Sequence, residues 1–310
     1  MRKIGIIGLG HVGRMLANQL VMTGQVDELV LIDQSDKLAV AVQADLNDAQ
    51  TVLITRTQII IQDYAALADA EVVITAFGES KLCQQRAMGE LATSYRQALA
   101  VAQHLRQSDF SGILMNVTNP NEVITAVLQQ QAQLPPKQVL GIGTVLETAR
   151  LRRAVAEDAQ VALTNVTGFV YGQHAGDQVF AWSTVRVNGQ TIDDSINGHH
   201  LDPNQLQVKA KLSAWYTLDG LGYNVSAVVA WIIRLIRAVE ADEQLALPVA
   251  IYQPQYQTYL SFPALIGRQG VGNLLLLKLY PLEQAEIKTA AQTILQQYQS
   301  LQNIEGSSSQ

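Results

Sequence analysis

The chain has 310 residues, 48% of them hydrophobic and only 15% charged, with one cysteine and a formal net charge of −6. The lone Cys83 excludes an intramolecular disulfide framework and a thiolate zinc cluster, and no metal site is expected. An acidic balance without a Lys/Arg block argues against nucleic-acid and polybasic membrane contacts.

The first half reads as strands alternating with helices. Lys3–Ile7 is a short apolar run that predicts a buried strand, and Val12–Met22 follows as a helix with Val12, Leu16 and Leu20 on one face. Leu29–Ile32 is a strand, Lys37–Val52 a helix, and Ile59–Ile61 and Val72–Ala76 are strands around a helical turn at Tyr64–Ala68. After a loop come a helix at Leu91–Arg106, a strand at Gly112–Val117, a helix at Asn121–Gln133 and a strand at Gln138–Gly141. This alternation predicts an α/β fold, a doubly wound parallel sheet of about six strands of the Rossmann type.

The second half differs in kind. Val179–Val187 is a long β-branched and aromatic run ending at Asn188-Gly189, a hairpin signal. Helices near Asn204–Leu218 and Tyr223–Ala241, a β-rich region around Ala250–Ile266 and a final helix at Leu282–Gln302 complete an α+β domain with antiparallel sheet; the Gly306–Gln310 tail is expected to fray. The domains are therefore placed at 1–143 for the parallel half and 144–310 for the rest. Val225–Val239 is interrupted by Arg234 and Arg237 and falls short of the ~18 apolar residues of a membrane span. A cytoplasmic protein is expected.

Gly8-Leu9-Gly10-His11-Val12-Gly13 follows a strand, opens a helix, and precedes Asp33 at the end of the next strand. Gly8 permits the tight turn, Gly10 lets the backbone approach a pyrophosphate, and Gly13 lets helix pack close on strand. The helix N-terminus offers N–H groups to the phosphates. Asp33 is placed to accept from adenosine ribose hydroxyls and repels a 2′-phosphate, so the cofactor read here is NAD rather than NADP. His11, inside the loop, reads as a surface residue. Among the five histidines, His174 alone sits in a loop between two β runs, where either a general acid/base or a solvated loop histidine fits.

Several motifs in order, Gly8–Gly13 with Asp33, Val117-Thr118-Asn119-Pro120, Gly143–Arg150, Gly172-Gln173-His174, Phe180–Val187 and Ser261–Gly267, give a chain that resembles the lactate/malate dehydrogenase superfamily over essentially its whole length. The pattern is most similar to L-2-hydroxyisocaproate dehydrogenases. The resemblance implies hydride transfer between NAD and C2 of a 2-oxo or 2-hydroxy acid. It assigns His174 as proton donor and acceptor, Arg150 as the bidentate grip on the substrate carboxylate, and Asn119 as a hydrogen-bond donor near the carbonyl oxygen and nicotinamide. It makes Arg86, in the loop from Gly78, the carbonyl-polarising cation, with Arg96 a weaker candidate. A homodimer or homotetramer is implied as well.

Three features depart from the family pattern. Glu147 stands where an Asp orients the histidine, and Thr144-Val145-Leu146-Glu147 also reads as a capping box in which Glu147 folds back on Thr144. The loop before Arg86 is shorter. Ala175 replaces a Gly, and Asn224 replaces a substrate-pocket Thr. Neutral Gln84 and Gln85 argue against a dicarboxylate. The reading is an NAD-dependent L-2-hydroxyacid dehydrogenase for medium apolar monocarboxylates, of hydroxyisocaproate or lactate type. The alternative is a catalytically impaired NAD-binding sensor. An NAD-dependent glycosidase is disfavoured, since Asn116-Val117-Thr118-Asn119 lacks the metal-binding cysteine of that family.

Overall fold

In the computed structural model, residues 2–78, 90–194 and 200–307 are described. β1 (Lys3–Ile7), β2 (Glu28–Ile32), β3 (Gln58–Ile61), β4 (Val72–Thr75), β5 (Ile113–Asn116) and β6 (Val139–Gly141) run parallel in the order β3-β2-β1-β4-β5-β6. That is the doubly wound arrangement expected from the alternation. β1, β4 and β5 are buried along their whole lengths, which is why they read as unbroken apolar runs. The helices of this half are α1 (His11–Met22), α2 (Asp36–Ala49), α3 (Leu91–Gln107) and α4 (Asn121–Ala132). α1 buries Gly13, Leu16, Ala17, Leu20 and Val21, one helical stripe. α2 ends before its expected limit, and Gln50–Val52 tightens into a 3-10 turn.

Beyond Gly141 the chain continues through α5 (Val145–Asp158), β7 (Val166–Gly172), β8 (Gln178–Val187) and β9 (Gln190–Thr191). The expected Asn-Gly hairpin joins β8 to β9, with Asn188 and Gly189 both at positive φ, as a primed two-residue turn requires. α6 (Pro203–Leu221) and α7 (Ser226–Glu240) precede β10 (Leu245–Gln253), β11 (Thr258–Gly267), β12 (Gly270–Leu274) and α8 (Pro281–Ser307). The single expected β-rich region is thus a three-stranded antiparallel meander. α8 runs through Gly306, where fraying was expected. α7 buries Val229, Ile232, Leu235 and Ile236, and Val228, Trp231 and Ile233 pack partly buried against the same core. Among the described residues no single helix is long and apolar enough to cross a membrane.

The antiparallel strands do not form a separate sheet. β10 pairs with β6, and the order continues β10-β11-β7-β8-β9 to give one 12-stranded sheet. A single register row crosses it: Ile32, Ile7, Thr75, Asn116, Gly141, Ala250, Ser261 and Gly172 are successive partners. Gly8, Asp33, Asn119, Glu122, Gly143 and His174 all lie a few residues beyond this row. The apolar core is likewise continuous across Gly141, with Leu128 and Val139 in the same cluster as Leu247, Leu260 and Ile287. A second cluster lies beneath α5, β7, β8 and α6, around Leu151, Val155, Val170, Phe180 and Leu206.

Candidate active site

The glycine loop leaves β1 at the point where strand order reverses. Gly8 has φ +102°, and a Cβ there would meet Phe77 N at 2.5 Å. A Cβ on Gly13 would lie 1.9 Å from the Gly8 carbonyl oxygen, so only glycine lets α1 seat this close to β1. Nothing comes within 4 Å of a Cβ built on Gly10, and the backbone is open to a ligand there. Asp33 does more than the motif requires. Its Oδ2 accepts from Leu9 N (2.7 Å) and its Oδ1 from Ser35 N (2.9 Å). The carboxylate fixes the loop while each oxygen keeps a lone pair for a further donor. An open glycine turn, a helix N-terminus and a half-buried carboxylate beside them fit a dinucleotide with an unphosphorylated ribose. His11 is exposed, as expected, and its ring stacks on Tyr223 at 4.0 Å between centroids.

Asn119 lies past β5, in a turn held by Asn116. Asn116 Oδ1 accepts from Thr75 Oγ1 (2.9 Å) and Thr118 N (3.0 Å), and its Nδ2 donates to the Thr118 and Asn121 carbonyls and to Thr125 Oγ1. Asn121 Oδ1 then accepts from Gly143 N at 2.9 Å, tying this turn to the start of α5. The Asn119–Pro120 peptide is cis. Asn119 itself is half-buried and makes no hydrogen bond with its side chain among the described residues.

Glu147 and His174 meet. Glu147 Oε1 is 2.9 Å from His174 Nδ1, with the carboxylate 6% and the imidazole 20% exposed. The capping box does not form: Thr144 N donates to the Pro248 carbonyl at 3.1 Å, and its hydroxyl is bonded to the Val170 and Pro248 carbonyls. The helix start is satisfied by neighbouring strands, which frees Glu147 to turn toward the histidine. Contact is close but off-line, because Nδ1–H is not aligned on Oε1 as a hydrogen bond and Oε2 has no partner. Ala175, next to His174, adopts φ +56°, a left-handed conformation that favours glycine.

Burial alone would lower the imidazole pKa, but the charges of Glu147 and Glu122 outweigh it, and His174 is pushed up to about 9. Burial would raise Glu147, yet the histidine charge and contact hold it below the usual carboxylate range. Arg150, one turn along α5 from Glu147, is pulled down from its ordinary value by burial and by Arg153, with Glu147 opposing. Its Nη2 donates to Asn224 Oδ1 at 3.3 Å, which makes Asn224 the neighbour that orients the guanidinium. A cavity of about 200 Å³ is lined by Glu147, Arg150, Gly176, Phe180, Lys211 and Ala214. A larger cleft of about 620 Å³ between α5 and α6 also touches Arg150, but Glu157, Lys209 and Tyr216 line it, so of the two only the smaller reaches Glu147 and Gly176 of the histidine loop, and the His174 side chain lines neither. Arg86, Cys83, Gln84 and Gln85 lie outside the described residues; Arg96 is exposed on α3.

The sequence did not single out Glu122. It is fully buried in the first turn of α4. Its Oε1 accepts from His174 N (2.9 Å) and from Ser261 Oγ (2.6 Å). An acid just after Pro at a helix start has an adequate local explanation in the helix dipole, and that explanation hides a long-range role.

The profile for lactate/malate dehydrogenase, NAD binding domain, matches residues 2–141. An L-lactate dehydrogenase of Deinococcus radiodurans is 31% identical over 93% of this chain and 96% of its own length. One from Lactobacillus delbrueckii subsp. bulgaricus is 30% identical over 94% and 97%. Among solved structures, the ligand-bound minor L-lactate dehydrogenase of Enterococcus mundtii superposes with TM-score 0.89 at 27% identity, covering 97% of this chain and 98% of that one.

Proposed function

The chain belongs to the lactate/malate dehydrogenase superfamily and is an NAD-dependent 2-hydroxyacid oxidoreductase, and from that premise we propose that it interconverts medium, apolar 2-oxo and L-2-hydroxy monocarboxylic acids with His174 as general acid/base. Gly8, Gly10 and Gly13 bring backbone N–H groups to the cofactor phosphates, Asp33 accepts from the adenosine ribose, and Asn119 donates beside the nicotinamide. Bound NADH supplies the hydride to C2. Since Nδ1 faces Glu147, Nε2 is the nitrogen that hands a proton to the carbonyl oxygen during reduction and recovers it during oxidation. Arg150, held by Asn224, takes the substrate carboxylate in a two-point grip. Arg86 is assigned to polarise the carbonyl. Residues 1–143 form the cofactor half and 144–310 the catalytic half, working in the cytoplasm. Exposed Leu212, Trp215 and Leu218 on α6 support a homodimer or homotetramer, measurable by light scattering.

The observation that carries the acid/base assignment is the 2.9 Å approach of Glu147 to His174 with Arg150 one turn further on the same helix. The test is loss of NADH absorbance with pyruvate, 2-oxoisocaproate, phenylpyruvate and oxaloacetate. The bulkier apolar acids should turn over fastest. Oxaloacetate as the best substrate would remove the monocarboxylate assignment. NADH binding without turnover of any acid would favour the second reading, an impaired NAD-binding sensor, which draws its support from the off-line Glu147 contact and the strained Ala175.

A further inference from the structure

Glu122 is a carboxylate with no exposed surface, on α4, at the inner side of the loop that carries His174. Both donors that reach it, the His174 backbone N–H and the Ser261 hydroxyl, converge on Oε1, and Oε2 has no partner. Ser261 is the register partner of Gly172, two residues before His174, so the sheet itself delivers the hydroxyl to this spot. A buried carboxylate with one orphan oxygen is expensive to keep for packing alone. Two donors on one oxygen oppose that cost, although burial still holds the carboxyl above its ordinary range.

We propose that Glu122 is a positioning residue of the acid/base site, one that pins the His174 loop through its backbone and places a second negative charge behind the imidazole. Glu147 then meets the ring at Nδ1 and Glu122 holds the main-chain N–H. The role rests on His174 being the proton carrier, and it explains how an off-line Glu147 contact is tolerated: ring orientation is shared between a side-chain contact and a fixed backbone. Among the described residues the charged groups acting on the imidazole are Glu147 and Arg150 from α5 and Glu122 from α4. β11 contributes neutral Ser261, and α8 contributes neutral Gln297, bonded to Gln173. Burial raises the Glu122 carboxyl, opposed by the Ser261 hydroxyl and by positive charge on His174, so Glu122 and His174 titrate as a coupled pair.

The test uses the full chain with 13C-labelled histidine, the His174 signal being assigned from His174→Asn. Glu122→Gln keeps an oxygen for both donors and removes only the charge. It should lower the His174 pKa by about one unit and move the high-pH fall of 2-oxo acid reduction down equally, with NADH affinity unchanged. Ser261→Ala should shift both in the same direction by less, and the double variant should shift no further than Glu122→Gln. A purely structural Glu122 would change thermal stability and leave the His174 titration in place, and that outcome in a folded Glu122→Gln overturns the proposal. Should Glu122→Gln not fold, an unmoved His174 pKa in Ser261→Ala overturns it as well. A wild type that turns over no 2-oxo acid while its His174 pKa still responds to Glu122 would defeat the dehydrogenase reading and with it the catalytic role of Glu122, leaving only the electrostatic coupling of the two residues.

Discussion

At one end of the register row, Leu9 and Asp33 join chain segments 24 residues apart into a loop whose exposed donors are mostly backbone N–H groups. At the other end, His174 is gripped by Glu147 from α5, by Glu122 from 52 residues away, and through Glu122 by Ser261, 139 residues distant from it. The first site needs small residues at fixed short spacing; the second needs side chains from distant segments to arrive at the right angle. Backbone donors tolerate sequence change around them. A carboxylate–imidazole contact does not, because a small shift of either group breaks its alignment.

His174→Asn should break the comparison most sharply. Loss of the proton carrier is expected to cut turnover about 1000-fold, while NADH titration by fluorescence stays at wild-type affinity. A parallel loss of NADH binding would mean that the two ends of the row are not independent. Next in size is Glu147→Gln. His174 is raised to about 9 in the folded protein, so reduction, which needs the protonated ring, should hold below that pH and decline through it, while oxidation should rise through it. Without the Glu147 charge both limbs should move down by more than one unit, about 1.4 kcal/mol or more of lost imidazolium stabilisation. Unmoved limbs would detach Glu147 from the histidine.

Asp33→Asn probes the cofactor end. It removes the charge and weakens the bond to Leu9 N, so NADH should bind about tenfold more weakly and discrimination against NADPH should narrow, by about 1.4 kcal/mol. Equal affinity for NADH in the variant would contradict the ribose role. The smallest effect belongs to Ala175→Gly. Release of a left-handed alanine, which costs about 1 kcal/mol, is partly offset by glycine's greater freedom when unfolded. Net stabilisation of about 0.5 kcal/mol, or about 1 °C in Tm, is expected, readable by calorimetry; a lower Tm would show that the alanine methyl packs usefully.

The same contrast explains what could be read from the sequence. The parallel half was legible because buried strands are short apolar runs and Gly8, Gly10, Gly13 and Asp33 are close in sequence. His174 could be singled out among the histidines without a role being fixed, while Arg150, Asn119 and Asn224 could be named only by likeness to a family, since nothing in their local spacing ties one to another. Glu147 was ambiguous between a cap and a histidine partner because the decisive fact, that Pro248 satisfies Thr144 N, comes from 104 residues away. Glu122 escaped notice for the same reason. The continuous sheet was also not apparent, because the β6–β10 joint is a single pairing of Gly141 with Ala250.

The transverse row has a further consequence in the order of synthesis. A ribosome delivers β1 to β6 before any of the antiparallel meander, and the contacts that fix Asp33 beside the glycine loop span 24 and 29 residues. A nascent chain can therefore acquire its nucleotide-binding surface early. Its proton-transfer machinery has to wait for Ser261, since Glu122 stays half-clamped until β11 is laid beside β7. The segments that shape the cofactor loop are thus complete in the growing chain before those that clamp the His174 loop.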